Sequence, residues 1–354
     1  MGFPGFNQPF VVGSVQTPAG EVPQVSTLLN WADHVGTFKA RCAVGRMHYT
    51  VDPGLYALGN PDQHSPVLVT ANYKMSFDKL RQALPSKNVW ILVLDTNGIN
   101  VWCAAGAGTF GTTELVNRIE STRLPQVVSH RQLILPQLAA PGVAAHRVKE
   151  LSGFKVTYGP IKAEDLPAFI EAGLKATSEM RRKSFTIWER AVLIPVELVT
   201  FPKSAIIIAL SLMFLIGGMG GSGGFLVSAF NHGIFTIMIF LAAVLSGTVF
   251  TPLLLPWLPG RAFSLKGMSM GIITVTLLLL FRWDNMVSKG EHIEMLSWIF
   301  LIPALSAYLG MNFTGASTYT SLSGVKKEIR WALPLEIGAG VIGLSIWIGS
   351  HFIV

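Results

Sequence analysis

Two residue types in this chain of 354 residues could do covalent or metal chemistry at close quarters, and the sharper of them is a cysteine. Cys103 lies within Asn100-Val101-Trp102-Cys103-Ala104-Ala105-Gly106-Ala107-Gly108-Thr109-Phe110-Gly111-Thr112. A thiolate is a nucleophile and a soft-metal ligand. Small neighbours let a large, flat object come close to the backbone. The apolar run Val89-Trp90-Ile91-Leu92-Val93-Leu94 and the turn signal Asp95-Thr96-Asn97-Gly98 precede the motif, and a stretch of helical periodicity from Thr113 to Glu120 follows it. The expected local structure is a strand, a tight turn, a short extended piece, and a helix with small first turns. Residue types alone leave a reactive thiol and a buried structural cysteine level.

Other chemistries fall away one by one. Histidine is the second chemical type, yet no histidine lies within a few residues of Cys103, so a Cys–His pair would have to draw on His130 or His146. Each reads better as structural or surface-exposed. Gly106, Gly108 and Gly111 have the Gly-x-Gly-x-x-Gly spacing, but no acidic residue ends a second strand at the right distance, and no Gly-Lys-Ser/Thr completes a phosphate loop. Asp95, Glu114 and Glu120 read as turn, helix-start and helix-surface positions rather than a hydrolytic pair. Zinc spacing is absent. Two cysteines are too few for a cluster held by four thiolates of this chain, and Cys42 has nothing around it that suggests a ligand site.

The elements that must position Cys103 are those of an α/β domain. Strands are expected over Val67–Thr70, 89–94, Gln132–Leu135 and Phe154–Tyr158, with one or two more between Gly36 and Tyr49, Cys42 on one of them. Helices are expected over Ser76–Leu84, capped by Ser76 and stopped at Pro85, then Val143–Leu151 and Asp165–Ala176. Alternating strands and helices imply a largely parallel, Rossmann-like or flavodoxin-like sheet, whose ligands bind beyond the carboxyl ends of the strands. Residues 1–37, with Pro4, Pro9, Pro18 and Pro23, read as an extended arm, and they lack the basic start and apolar core of a signal peptide.

Beyond about residue 190 the chain changes character. Five apolar spans are expected at about 201–220, 227–250, 263–282, 294–312 and 332–353, preceded by an interfacial linker helix over 184–200. The organisation is therefore arm 1–37, α/β domain 38–183, linker 184–200 and an all-α transmembrane domain 201–354. The formal charge of +7 does not point to nucleic acid, because Arg181, Arg182, Lys183, Arg190, Lys203, Lys326, Lys327 and Arg330 flank the apolar spans. Their alternation across the loops favours a multi-pass inner-membrane protein with the α/β domain in the cytoplasm, where thiols stay reduced. His232 and Glu336 are the ionisable residues in or beside the spans, and the spans read as an anchor rather than a transport path.

The Asn100–Thr112 motif resembles the cap-helix motif of mercury-methylating corrinoid proteins and, more distantly, the large subunit of the corrinoid iron–sulfur protein of acetyl-CoA synthesis. A second match runs from Asn312 to Val325, Asn-Phe-Thr-Gly-Ala-Ser-Thr-Tyr-Thr-Ser-Leu-Ser-Gly-Val. The layout of a soluble domain followed by membrane spans resembles the mercury-methylating family as well. The resemblance implies a cobalamin-like corrinoid bound base-off, with the Cys103 thiolate as the lower ligand of cobalt. Asn100, Val101, Trp102, Ala104, Ala105, Gly106, Gly108, Thr109 and Phe110 form the rest of the cofactor site in that comparison. It further implies a methyltransferase that carries a methyl group on cobalt to mercury(II), with a ferredoxin-like iron–sulfur protein as reductant. A methylated folate, or the methyltransferase that uses it, is the implied donor. The Asp-x-His-x-x-Gly signature of histidine-ligated corrinoids is absent, in keeping with a cysteine ligand.

One departure stands out. The family motif continues Ala-Gly-Lys-Gly, whereas this chain has Ala107 in place of the lysine. The change keeps open two further readings: a membrane-anchored corrinoid methyl carrier serving another acceptor, and a membrane-anchored structural protein without cofactor chemistry.

Overall fold

A computed structural model describes residues 3–200, 203–218, 224–282, 289–313 and 322–352. The chain divides into two compact units, Met1–Ser184 and Phe185–Val354.

The first unit is built on one seven-stranded sheet in the order β1-β2-β3-β5-β4-β6-β7. Its strands are β1 (Val11–Thr17), β2 (Gly20–Val25), β3 (Gly54–Leu58), β4 (Val67–Ala71), β5 (Val89–Leu94), β6 (Gln132–Leu135) and β7 (Lys155–Tyr158). The helices are α1 (Trp31–Arg41), α2 (Lys74–Gln82), α3 (Val101–Ala107), α4 (Thr112–Ser121), α5 (Leu124–Val127), α6 (Ala145–Ser152) and α7 (Leu166–Glu171). Every residue of β3, β4 and β5 is buried, as expected of strands covered on both faces. Alternation along them divides the core in two. Val67, Val69, Leu92, Leu94, Leu133 and Leu135 meet Leu115, Ile119 and Val148 on one face. Leu68, Ile91, Val93 and Ile134 meet Phe77, Leu80 and Phe169 on the other.

Strands β5, β4, β6 and β7 are mutually parallel, while β3 runs antiparallel to β5 and β1 antiparallel to β2. The sheet is therefore mixed, not largely parallel throughout. The expected arm supplies part of it: residues 11–25 form a hairpin whose second strand pairs with β3. Edge-strand residues alternate with exposed polar ones and carry a weaker apolar signal than the central runs.

Three local expectations are corrected. The segment around Cys42 is helical, not extended, because Asn30 and Asp33 form a reciprocal capping box that starts α1, and Cys42 follows its last turn. Helix α2 begins at Lys74 rather than behind a Ser76 cap. Lys74 is drawn into its first turn by ion pairs of 2.6 Å to Asp33 and 2.7 Å to Asp78, while Arg81 pairs with the same two carboxylates at 2.7 and 2.8 Å. This buried, charge-balanced quartet joins α1 to α2. Helix α7 stops at Glu171, because Gly173 and Leu174 adopt left-handed backbone conformations that end it.

In the second unit, four described helices are long and apolar enough to cross a membrane: Ile234–Leu254, Phe263–Arg282, Gly290–Asn312 and Gly324–Ser350. The first expected span is represented by the 15-residue helix Lys203–Gly217. The expected linker helix is two short helices, Ile187–Ala191 and Ile194–Thr200. Helices Phe263–Arg282 and Gly290–Asn312 approach closely at glycines. A Cβ at Gly267 would stand 2.3 Å from the Ser306 carbonyl oxygen, and one at Gly271 would stand 2.5 Å from Pro303 Cα. Small residues one turn apart are what allow membrane helices to pack backbone to backbone. Of the second motif match, residues 314–321 lie outside the described residues.

Candidate functional site

Strand β5 ends at Leu94, and the chain turns through Asn97 and Gly98, both with positive φ. Gly98 is required there, since a Cβ would lie 2.6 Å from the carbonyl oxygen of Met47. One buried residue at the end of β4 holds this turn. Asn72 Oδ1 accepts the backbone N–H groups of Thr96 and Gly98, each at 3.1 Å, and its Nδ2 donates to Asp95 at 3.2 Å. From the other side Glu114 accepts the Asp95 N–H at 2.9 Å and pairs with Arg118 at 2.6 Å. Asn72 is not among the residues that the sequence marks, and Glu114, expected at the start of a helix, also holds the turn. An asparagine just past a buried apolar strand was the available signal.

The cysteine motif is itself a helix, not an extended piece leading to one. Asn100 caps α3, accepting the Cys103 N–H at 3.0 Å, and Gly108 closes it with φ of 86°. After Gly108 the chain doubles back so that the Phe110 N–H bonds to Ala104 O at 3.1 Å and the Phe110 ring enters the core. The residues expected as a short extended piece instead form a short helix clamped at both ends.

Its two sides differ completely. Ala104, Ala105 and Phe110 are buried in the core, with Val101 packed against it. The chain at Gly142 comes so near that a Cβ there would lie 2.9 Å from Ala105 Cα. Cys103, Gly106 and Ala107, spaced for one helix face, are exposed, and so is Gly108. A Cβ at Gly106 or Gly108 would meet no atom within 4 Å. The exposed side of α3 is thus backbone, methyl and one thiol. Asn100, Trp102 and Thr109 are half-buried at its edges.

The place of α3 on the sheet follows from topology. It packs against β4 and against the single turn Gln137–Ala139 that follows β6. Strands β4 and β6 are parallel neighbours, and the chain leaves β4 for β5 on one side before returning to β6 on the other. Such a reversal opens a crevice at the carboxyl ends of the two strands, where open α/β sheets bind ligands. Helix α3 lies at that end of the sheet, with Cys103 on its exposed side.

The other candidates are elsewhere. His130 precedes β6, at the opposite end of the strands, with Nε2 at 2.9 Å from Ser65 O. His146 is exposed on α6, and Cys42 is half-buried after α1. Both cysteines are free thiols, and among the described residues no three His, Cys, Asp or Glu side chains gather to hold a metal. Cys103 offers a single sulfur donor. In the charged quartet, burial pushes the Asp33 carboxyl up, but hydrogen bonds from Lys74, the Asn30 N–H and Arg81, with the charge of Lys74, hold it below the usual carboxylate range.

Comparison with known proteins meets this geometry. Residues 44–170 match the family model of the CO dehydrogenase/acetyl-CoA synthase delta subunit. The matched stretch takes in β3 to β7 and the whole of α3. The acetyl-CoA decarbonylase/synthase complex subunit gamma of Methanopyrus kandleri is 36% identical over 123 residues, covering 34% of this chain and 26% of that protein. The subunit of the same name from Methanocaldococcus jannaschii is 40% identical over 97 residues, 27% of this chain and 20% of that protein. The one from Archaeoglobus fulgidus is 32% identical over 123 residues, again 34% and 26%. The chain thus matches a fifth to a quarter of the length of these relatives, and the stretch matched by the family model lies within its first unit.

Proposed function

We propose that the first unit binds a corrinoid against the exposed side of α3, base-off and with the Cys103 thiolate as the lower cobalt ligand, and that it serves as a methyltransferase to mercury(II). One observation carries the reading: a lone thiol on a helix face that otherwise offers only backbone and one methyl, on the helix that packs at the carboxyl ends of β4 and β6. The residues fit the group, because Cys103 supplies a soft donor and the open ground at Gly106 and Gly108 leaves room for a broad, flat ring. When bound, the corrinoid supplies a cobalt centre able to take up and release a methyl group.

The chain's own residues do the positioning. Asn100 fixes the helix turn from which the thiol projects, and Asn72 and Glu114 fix the turn before it. Ala104, Ala105 and Phe110 lock α3 into the core, so the thiol is held on a rigid element rather than on a loop. Val101, Trp102 and Thr109 complete the motif around it. Electron donation by a thiolate favours delivery of the methyl group to a soft electrophile. With two cysteines the chain does not itself hold a four-thiolate cluster, so a ferredoxin-like iron–sulfur protein is the proposed reductant. Methylated folate, or its methyltransferase, is the proposed donor. The second unit anchors the protein in the cytoplasmic membrane, the helix Lys203–Gly217 marking a fifth span and the corrinoid domain, 38–183, lying in the cytoplasm. Four long apolar helices and the flanking basic residues support this arrangement.

A second acceptor is favoured by one residue: Ala107 stands where the mercury-methylating motif carries lysine, and the relatives are named for acetyl-CoA decarbonylase/synthase complexes. The protein loaded with methylcobalamin and incubated with labelled mercury(II) is expected to form methylmercury, at a rate lowered at least tenfold in Cys103→Ala. Retained methylcobalamin with no methylmercury would contradict the mercury assignment in favour of the other acceptor.

A further inference from the structure

Two half-buried arginines of the first unit stand close together without an acidic partner, and the methyl-transfer reading uses neither. Arg41 ends α1, and Arg46 opens the single turn Arg46–His48 that follows. The Arg46 guanidinium stands over the Tyr73 ring, 5.8 Å from its centroid, and reaches the carbonyl of Ala40, next to Arg41, at a long 3.5 Å. Arg41 lies near enough for its charge to act on Arg46 and on the Tyr73 hydroxyl. Burial pushes the Arg41 guanidinium down, the Tyr73 oxygen opposes that fall, and the charge of Arg46 adds to it. Among the described residues neither guanidinium pairs with a carboxylate, and the buried Tyr73 hydroxyl has no hydrogen-bond partner. Nearby Lys74 and Arg81 show the opposite habit, each being matched by Asp33 and Asp78.

These residues sit beside the frame of α3. Tyr73 follows Asn72, whose side chain holds the turn that leads into that helix. Met47, next after Arg46, has its carbonyl oxygen 2.6 Å from where a Cβ of Gly98 in the same turn would stand. We propose that Arg41 and Arg46 form a site for a phosphate group, either the phosphodiester in the nucleotide tail of the corrinoid or a free phosphate. The first source rests on the corrinoid reading of α3, in which a base-off cofactor has its tail away from cobalt. The choice of ligand follows from what is unmet: an anion relieves the repulsion between the two guanidiniums, and a cation would add to it. Guanidinium N–H groups match phosphate oxygens in shape and charge, and a tetrahedral phosphate can meet two such forks from different directions.

The full chain in dodecyl maltoside, a detergent without phosphate, tests the site by calorimetric titration with inorganic phosphate at constant ionic strength. One phosphate per chain is expected to bind, and Arg41→Gln and Arg46→Gln should each weaken it at least about tenfold, as the loss of hydrogen bonds to a charged group implies. Thermal unfolding separates the site from a structural role, because both variants should match or exceed the wild type once the repulsion is relieved. Cobalamin and cobinamide, which lacks the nucleotide tail and its phosphate, distinguish the sources. If the tail is the ligand, cobalamin should bind at least about tenfold tighter than cobinamide to the wild type, and equally to the double variant. If free phosphate is the ligand, the two corrinoids should bind alike to both proteins while phosphate still binds. Failure of both corrinoids to bind would sink the corrinoid reading, and the phosphate titration would then decide this site by itself. Absence of phosphate binding, phosphate binding unchanged in the double variant, or acetate binding as tightly as phosphate would each overturn the proposal.

Discussion

Glycine is used in opposite ways in the two units. In the second, Gly267 and Gly271 are places where another helix backbone already stands, with Ser306 O and Pro303 Cα occupying the space of a side chain. On α3, Gly106 and Gly108 face open space, with nothing within 4 Å of a Cβ. The first pair is explained by contacts inside the protein. The second pair has no internal explanation at Gly106, where φ is unexceptional and a larger residue would favour the helix. On the proposed reading, this helix position is left open for the corrinoid.

The contrast can be broken by the same substitution in each place. Gly271→Leu drives a side chain into Pro303 and should cost about 3 kcal/mol or more, seen as loss of the folded second unit in thermal unfolding. Gly106→Leu should keep or raise stability, by up to about 1 kcal/mol. It should nonetheless lower cobalamin affinity at least tenfold, measured by equilibrium dialysis. If Gly106→Leu bound cobalamin normally, the open face of α3 would not be the ligand's ground. A smaller effect concerns the frame behind the site. Because the Asp33 carboxyl is held below its usual range, its contribution is present above the unfolded-state value near 3.8 and is lost as pH falls through the lowered one. The urea midpoint of the first unit should therefore fall as pH drops from about 5 through the lowered value, below 3.8. Asp33→Asn should flatten that slope, and a slope unchanged by the substitution would remove Asp33 as its source.

Much of the α/β unit was legible because its central strands are unbroken apolar runs: Val67–Ala71, Val89–Leu94 and Gln132–Leu135 form where the composition put them. The hairpin was not, since β1 is a half-exposed edge strand with Gly13, Ser14 and Gln16 among its residues. Helix α1 was missed because its large apolar residues, Trp31 and Phe38, are exposed rather than aligned on the core, although Asn30 and Asp33 spelled its capping box. At the site, the thiol and its small neighbours could be read directly. That Ala104 and Ala105 face inward while Cys103 and Gly106 face outward depends on helical phase, and glycine-rich sequence obscured the helix. Asn72 acts across 24 residues of chain to Thr96, a contact that only the pairing of β4 with β5 creates.

The central claim is that Cys103 meets cobalt, and the visible absorption spectrum of the cobalamin-reconstituted protein beside Cys103→Ala tests it most directly. The account predicts a tightly held, base-off species in the wild type and a shifted cobalt band once the thiol is gone. Free-cobalamin spectra from both folded proteins would contradict it, and would leave the first unit as a scaffold without the proposed cofactor.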